Sequence, residues 1–158
     1  MKFGRKIFIL FAALTMLTLT GCNKINEIKN IKMTGCSLES VTPVGMKGIK
    51  AQLAVGIDNP SMKFTVSDIH GTVYYQDSEL IHYTAEPITV DKHCSAVCPV
   101  TCSGTVADKV SVSKLLSLLI NSNIEDYTVD INARLELKRV SKSIKIKKKP
   151  LKDFMEDK

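Results

Sequence analysis

Tyr127-Thr128-Val129-Asp130-Ile131-Asn132-Ala133-Arg134-Leu135-Glu136-Leu137-Lys138 decides the fold of this 158-residue chain. Six apolar residues alternate strictly with six polar or charged ones along this stretch. Successive side chains of a β-strand point to opposite faces of the sheet. The pattern therefore predicts a long antiparallel strand with one buried face and one hydrated face.

Shorter strand patterns fill most of the remaining chain. We predict them at residues 31–41, 50–58, 64–76, 80–85, 93–103 and 140–149. Within 64–76 the apolar positions change parity, which predicts a bulge near Ser67-Asp68. The polar run 76–79 predicts a hairpin turn, and 88–90 falls in a short connection. About seven strands with frequent turns predict an all-β antiparallel sandwich.

One helix is predicted near residues 108–121, because apolar residues recur there at helical spacing. Asp108 or Ser111 is the expected N-cap. The apolar positions are Val112, Leu115, Leu116, Leu119 and Ile120.

The N-terminal segment predicts export. A basic leader, residues 1–6, precedes the uncharged apolar run 7–19. This run is shorter than the roughly 20 apolar residues that a transmembrane helix needs. Leu19-Thr20-Gly21-Cys22 then resembles the lipobox of bacterial lipoproteins. The resemblance implies a lipoprotein signal peptide at 1–21 and a diacylglycerol on Cys22, the first mature residue. The alternative is an ordinary signal peptide that happens to contain this cysteine.

The mature chain would be one domain followed by short ends. We predict a lipidated N-terminus and tether at 22–30, the domain at 31–149 and a C-terminal tail at 150–158. No aspartate follows Cys22 directly, and no acidic cluster lies nearby. Their absence favours the outer membrane, facing the periplasm, because those features resemble retention and surface-export signals.

The charge is concentrated near the C-terminus. Removing the leader lowers the formal net charge from +6 to +3, and residues 138–152 hold eight basic residues and no acid. The strip has three interpretations: an edge strand protected by lysines, a contact with anionic lipid headgroups, or nucleic-acid binding, which export makes remote. The headgroup contact would use Lys145, Lys147, Lys148 and Lys149.

The other four cysteines are expected to be structural thiols. Cys94, Cys98 and Cys102 lie four residues apart on a predicted strand, so neighbours are about 13 Å apart. A disulfide needs Cα atoms within about 7 Å of each other. Cys36 pairing with one of the three remains an alternative. A metal site is disfavoured because ligands spread along a strand do not converge on one ion.

The sequence holds no catalytic motif. A nucleophile elbow, a phosphate-binding glycine loop and a helical His-Glu-x-x-His are all absent. His70 and His82 lie on hairpin-related strands and form either a hydrated cross-strand pair or a two-histidine metal pair. We expect a non-catalytic protein without a metal or cofactor.

Asp58-Asn59-Pro60 predicts a structural turn. Proline fixes its own φ and pushes the preceding residue into an extended conformation. Asp58 is expected to accept hydrogen bonds from backbone amides of the turn.

Two of these segments together resemble a known family. The aliphatic strand 51–57 runs into Asp58-Asn59-Pro60, and Ile69-His70-Gly71-Thr72-Val73-Tyr74-Tyr75 then leads into a hairpin. This order resembles the type 2 late-embryogenesis-abundant (LEA) family, or water-stress and hypersensitive-response domain, over residues 31–149. The resemblance implies a seven-stranded sandwich of fibronectin type III shape with one helix. It also implies no catalysis and a role in stress protection or, in some proposals, in holding lipid. The lipobox and the three β-strand cysteines depart from the plant pattern.

Two functions follow as expectations. The first is a membrane-anchored envelope lipoprotein whose sandwich is an interaction or stress-protective module. The alternative is a carrier that binds a lipid or other apolar ligand between the sheets or under the helix, since the helix is broadly apolar. A thiol-based redox or metal protein is a third possibility, which thiol titration would separate from the others.

Overall fold

The computed structural model describes residues 31–154. The elements are β1 (Lys32–Val44), β2 (Gly48–Asn59), β3 (Phe64–Tyr75), β4 (Ser78–Ala85), β5 (Ile88–Val90), β6 (Cys94–Val106), α1 (Val112–Asn121), β7 (Tyr127–Leu137) and β8 (Val140–Pro150), with 3-10 turns at Ile124–Asp126 and Leu151–Asp153. The predicted signal peptide, Cys22, the tether and the last four residues of the tail lie outside the described residues.

The strands form one antiparallel network that folds back on itself. Their order is β1-β2-β6-β4-β3-β7-β8, with β5 paired to the start of β3. Ile57 of β2 and Cys98 of β6 pack in the same apolar cluster as Phe64 of β3 and Leu135 of β7. The β1-β2-β6 half therefore faces the β3-β7-β8 half across a shared core. The prediction of an all-β antiparallel sandwich with one helix is confirmed.

The core has two clusters, one at each end of the sandwich. The helix pole contains Ile49, Leu80, Ile81, Val106, Leu115 and Tyr127. The N-terminal pole contains Ile31, Phe64, Val90 and Leu135. Strand β7 runs from the first pole to the second, and the eight residue steps from Tyr127 to Leu135 separate them by about 26 Å.

Strand β7 follows the predicted alternation. Tyr127, Val129 and Leu135 are buried, whereas Arg134 and Glu136 on the other face are exposed. The burial of one face explains why this stretch has a single stable register, because a slip of one residue would expose all three apolar side chains.

The predicted irregularities of β3 are also present. Asp68 has a φ of 50°, and the β3–β7 register shifts between Ser67 and His70. The hairpin turn has positive φ at both Gln76 and Asp77, which matches the twist of the flanking strands. Residues 88–90, predicted as a connection, form the three-residue strand β5, which is too short to show a period in the sequence.

Gly71 lets Tyr83 cross between strands inside the sandwich. The Tyr83 hydroxyl donates to the carbonyl oxygen of Asp130 on β7, at 2.8 Å. A Cβ on Gly71 would lie 1.8 Å from that same carbonyl oxygen and 2.8 Å from the Tyr83 hydroxyl. The glycine is therefore required by the close approach of β3, β4 and β7.

The helix differs from its prediction in start and orientation. It begins at Val112 because the Ser111 hydroxyl caps it by accepting the Lys114 amide at 3.2 Å. Leu115 is fully buried, whereas Leu119 is 39% and Ile120 81% exposed. Val112 and Leu118 complete the packed face, so the expected stripe through Leu119 and Ile120 was wrong.

Candidate functional site

The three cysteines of β6 lie along the strand as predicted. Cys94, Cys98 and Cys102 pair opposite Asn59, Val55 and Ala51 of β2 and are half-buried. Burial is the main cause that raises the pKa of the Cys98 thiol and of the Cys102 thiol. Both thiols are therefore protonated at neutral pH and are weak nucleophiles.

The sheet register excludes a disulfide between Cys36 and these cysteines. Cys36 pairs with Val55, and Val55 pairs with Cys98 on its other side. Two strand spacings, about 9.6 Å, separate Cys36 from Cys98, and the other two cysteines are displaced further along β6. This distance exceeds the Cα separation that a disulfide permits.

The histidines have separate partners. His70 Nδ1 lies 2.9 Å from the Asp68 carbonyl oxygen. His82 Nδ1 lies 3.1 Å from the Thr72 hydroxyl, and its Nε2 lies 3.5 Å from a Glu79 carboxylate oxygen. Among residues 31–154, no three His, Cys, Asp or Glu side chains are grouped so as to hold a metal ion.

Asn59 holds two loops together at the N-terminal pole. Its side chain is fully buried. Its Nδ2 donates to the carbonyl oxygens of Met62 at 3.0 Å and Asp91 at 2.8 Å, and its Oδ1 accepts the Ser61 amide at 3.1 Å. We call this arrangement the Asn59 clip. The Ser61 amide of the turn is thus accepted by Asn59, where the sequence predicted Asp58 as an acceptor.

A groove of about 770 Å³ opens beside this clip. Its lining comes from the chain after the clip and the loop before β6, at Met62, Lys63, Phe64, Thr65 and Lys92, and from the β7–β8 hairpin, at Glu136, Leu137, Lys138, Arg139, Val140 and Ser141. Phe64 and Thr65 pair directly with Leu137 and Glu136 in the sheet, so these four residues form its floor. We call it the basal groove, because it lies at the pole where Ile31 joins the core.

The basal groove combines an apolar floor with a basic rim. Phe64 is buried and Leu137 half-buried, whereas Val140 at the hairpin tip is 50% exposed. Four cations line the groove, and its acids are Glu136 and the Asp91 carboxylate, which pairs with Lys63 at 3.4 Å. The sum is a net charge of +2. Lys138 and Arg139 belong to the basic strip of the sequence, whereas Lys63 and Lys92 come beside them only through the fold.

The predicted headgroup lysines lie elsewhere, on β8. This strand is an edge of the sheet, as the sequence predicted. Lys145 and Lys147 are exposed. Lys148 contacts Asp77 at 3.4 Å and lies 5.0 Å from the Tyr74 ring centroid, while Lys149 is half-buried opposite Val129. The last two lie near the helix pole, away from the basal groove.

A second acidic and aromatic contact fixes this part of β8. Asp130 accepts the Lys148 amide at 2.7 Å and the Tyr74 hydroxyl at 2.8 Å. The hydrogen bond to Asp130 is the main cause that raises the pKa of Tyr74. The carboxylate thereby stabilises a bulge in β8, where Lys148 has a φ of 45°.

The underside of the helix is filled by side chains. Leu115 packs against Ile49, Leu80 and Val106, and Leu118 lies beside them. The groove at the opposite pole is therefore a better candidate for a ligand site than the underside of the helix is.

No helix of the described residues is long and apolar enough to span a membrane.

Comparison with known proteins adds little to this description. No protein-family model matches the chain, and no curated protein matches it. A crystal structure of a protein from Archaeoglobus fulgidus is similar at 18% identity and a TM-score of 0.43, over 70% of this chain and 91% of that one. This likeness carries no functional argument.

Proposed function

We propose that this chain is a non-catalytic lipoprotein of the bacterial cell envelope, with a β-sandwich that acts as an interaction or stress-protective module. The observation that carries the proposal is the order of basic leader, apolar run and Leu19-Thr20-Gly21-Cys22. A diacylglycerol on Cys22 supplies two acyl chains. At about 0.8 kcal/mol per buried methylene, two chains hold a protein stably where one does not.

The burial of Ile31, nine residues after Cys22, supports a tethered domain. Ile31 is buried in the core of the N-terminal pole. Nine residue steps separate it from Cys22, a distance of at most about 32 Å in a fully extended chain. A lipid on Cys22 would therefore hold the N-terminal pole near the bilayer and direct the helix pole away from it, in our proposal toward the periplasm from the outer membrane.

The chemistry of the sandwich supports a role other than catalysis. The thiols of Cys98 and Cys102 are protonated, and His70 and His82 are engaged by different neighbours. Asn59 is fully buried, and both N–H groups of its side-chain amide are used by backbone carbonyls. It therefore has no donor to offer a substrate.

The exposed apolar side chains of the helix pole support an interaction role. Ile120 is 81% exposed on the helix, and Met46, in the β1–β2 turn at this pole, is 94% exposed. Large apolar side chains on the side facing away from a membrane are suited to contact a protein partner. The LEA type 2 resemblance supports the same kind of module.

The anchor is tested by membrane fractionation of cells that express the full chain. We expect wild type in the membrane fraction, with an intact mass that includes a diacylglycerol on Cys22. Cys22→Ser removes the lipid and should prevent maturation at this position. Cys94→Ser is the matched control, because it changes a half-buried cysteine of β6 and should leave the lipid in place. A wild-type protein without lipid would contradict the proposal.

The module is tested separately by a protection assay. The purified protein is mixed with a heat-labile enzyme, and light scattering follows aggregation on heating. We expect reduced scattering, and we expect Ile120→Ser to weaken the effect while Val97→Ser, an exposed change on β6, does not. Equal loss in both variants would contradict a role for the helix pole.

A carrier function is the second candidate, and the basal groove favours it. Its volume lies within the range of small-molecule sites, about 300–1,000 Å³. Native mass spectrometry of the protein after incubation with envelope lipid extract discriminates the two functions. A stoichiometric bound lipid would support the carrier, and a clean apo mass would exclude it.

A further inference from the structure

We infer that the basal groove and the tip of the β7–β8 hairpin form a docking surface for an anionic phospholipid bilayer. The inference rests on the proposed function, since the tether is what brings this pole to the membrane. It differs from the headgroup contact expected for Lys145, Lys147, Lys148 and Lys149, because it assigns the contact to another set of cations.

Position is the first argument. Thirty residues precede Ile31, and Ile31 packs with Phe64, which forms the floor of the groove. The groove and Ile31, the described residue nearest to Cys22 in sequence, are thus at the same pole. With Cys22 in the bilayer, this pole lies within about 32 Å of it. The Lys149 row of β8 lies at Val129, eight residue steps or about 26 Å farther along β7 than Leu137.

Charge is the second argument. Lys92, Lys138 and Arg139 have no carboxylate partner within 4.0 Å among residues 31–154, so their charges are available to lipid phosphates. Of the β8 lysines, Lys148 is held by Asp77. Lys145 and Lys147 have no carboxylate partner among the described residues either, so position and not pairing separates them from the groove cations. Cations near an anionic surface lower the free energy of association, and those already paired contribute less.

The shape of the hairpin tip is the third argument. Lys138 and Arg139 form the two-residue turn, and the half-exposed Val140 follows them directly. Cationic side chains with an adjacent apolar one suit the interface, since the charges contact phosphates while the apolar group enters the acyl boundary. The Asn59 clip holds the Met62 carbonyl, next to Lys63, in the part of the groove lining that precedes β3.

Tryptophan fluorescence tests the inference, because the chain contains no tryptophan. Full-length protein carrying Val140→Trp is expressed, extracted from membranes and reconstituted into vesicles with 30% phosphatidylglycerol and brominated acyl chains, or with phosphatidylcholine alone. We expect a blue shift and strong quenching on the anionic vesicles only. Ile120→Trp, at the helix pole, is the matched control and should stay unquenched on both.

Charge removal sharpens the test. Each cation near an anionic surface contributes about fivefold, so Lys138→Gln with Arg139→Gln should lower the ratio of docked to undocked protein about 30-fold and abolish the quenching. Lys145→Gln with Lys147→Gln removes the same charge from β8 and should leave the quenching unchanged. Loss of quenching in the β8 pair alone, or equal quenching on both vesicle types, would overturn the inference.

The anchor and the docking surface fail independently. Intact mass of the extracted protein reports the lipid on Cys22, and the fluorescence of the Val140→Trp variant reports docking. Lipidated protein whose introduced indole stays unquenched would overturn the docking surface and retain the anchor. If the protein lacks the lipid, the same vesicles are added to it externally. Salt-sensitive quenching of the Val140→Trp variant would then support docking without the anchor, and its absence would overturn docking.

Discussion

The two poles of the sandwich are held together by different interactions. The helix pole is a cluster of buried aliphatic side chains and Tyr127 around the fully buried Leu115. The N-terminal pole has a smaller cluster, and its loops are joined by the buried polar side chain of Asn59. Apolar packing around Leu115 holds the helix pole together. The polar clip instead fixes loops around an open groove, so the N-terminal pole is the one that can present a surface of defined charge.

The largest expected effect is at the helix pole. Leu115→Ala should lower the free energy of unfolding by about 4 kcal/mol, because it removes a fully buried side chain and leaves a cavity. Chemical denaturation followed by circular dichroism measures the change. Ile120→Ala, on the exposed face of the same helix, should cost less than about 0.5 kcal/mol. Similar losses in the two variants would mean that the helix does not pack as described.

The second-largest loss in the free energy of unfolding is expected at the N-terminal pole. Asn59→Ala removes three hydrogen bonds and should cost about 3 kcal/mol, at about 1 kcal/mol for each. Asn59→Asp keeps the shape but places a carboxylate against the carbonyl oxygens of Met62 and Asp91, so it should cost at least as much. Hydrogen exchange should rise at residues 59–63 and 91–93 before it rises in α1. An equal rise in hydrogen exchange at both poles of the Asn59→Ala variant would contradict a clip that stabilises only the N-terminal pole.

A smaller effect is expected midway between the poles. Tyr83→Phe removes the hydrogen bond to the Asp130 carbonyl and should cost about 1 kcal/mol. Gly71→Ala should cost more than this, since its Cβ meets that carbonyl oxygen directly. Thermal unfolding ranks the two variants, and the reverse order would contradict the close approach of these strands.

The smallest effect concerns pH. Burial raises the folded-state pKa of Cys98 and Cys102 above the ordinary value of 9.0. A raised pKa favours the protonated thiol in the folded protein. The protonated thiols therefore make their full contribution to the free energy of unfolding below about pH 9. That contribution is lost as the pH rises through the folded-state pKa. Labelling with a thiol reagent at pH 7.5, located by peptide mass, should be slower in the native protein than in urea. Equal rates would contradict the burial.

The sequence predicted the parts of the fold that depend on local pattern. The alternation in 127–137 and the change of parity near Ser67 each leave a periodic signal, and both were confirmed. The predicted orientation of α1 was wrong, because six large apolar residues leave several faces equally hydrophobic and only tertiary packing selects Leu115 and Leu118.

The basal groove had no local signal. Its lining comes from residues 62–65, Lys92 and 136–141, which are brought together by strand pairing, by the Asn59 clip, by the Lys63–Asp91 ion pair and by the hydrogen bond from the His93 amide to the Ser61 carbonyl oxygen. The sequence did mark Asn59 as part of a structural turn, but the partner carbonyl of Asp91 lies 32 residues away. A site assembled across such separations follows from the three-dimensional register rather than from any motif.

The strand order has a mechanical consequence. Strand β1 is an edge of the sheet and carries the chain in from Ile31, with eleven residue pairs joining it to β2. Tension between a lipid on Cys22 and a partner held at the helix pole would act along the strand axes. Antiparallel hydrogen bonds lie perpendicular to those axes, so the whole β1–β2 row would be loaded in shear at once instead of being peeled apart bond by bond. The domain is therefore suited to bear a pulling force.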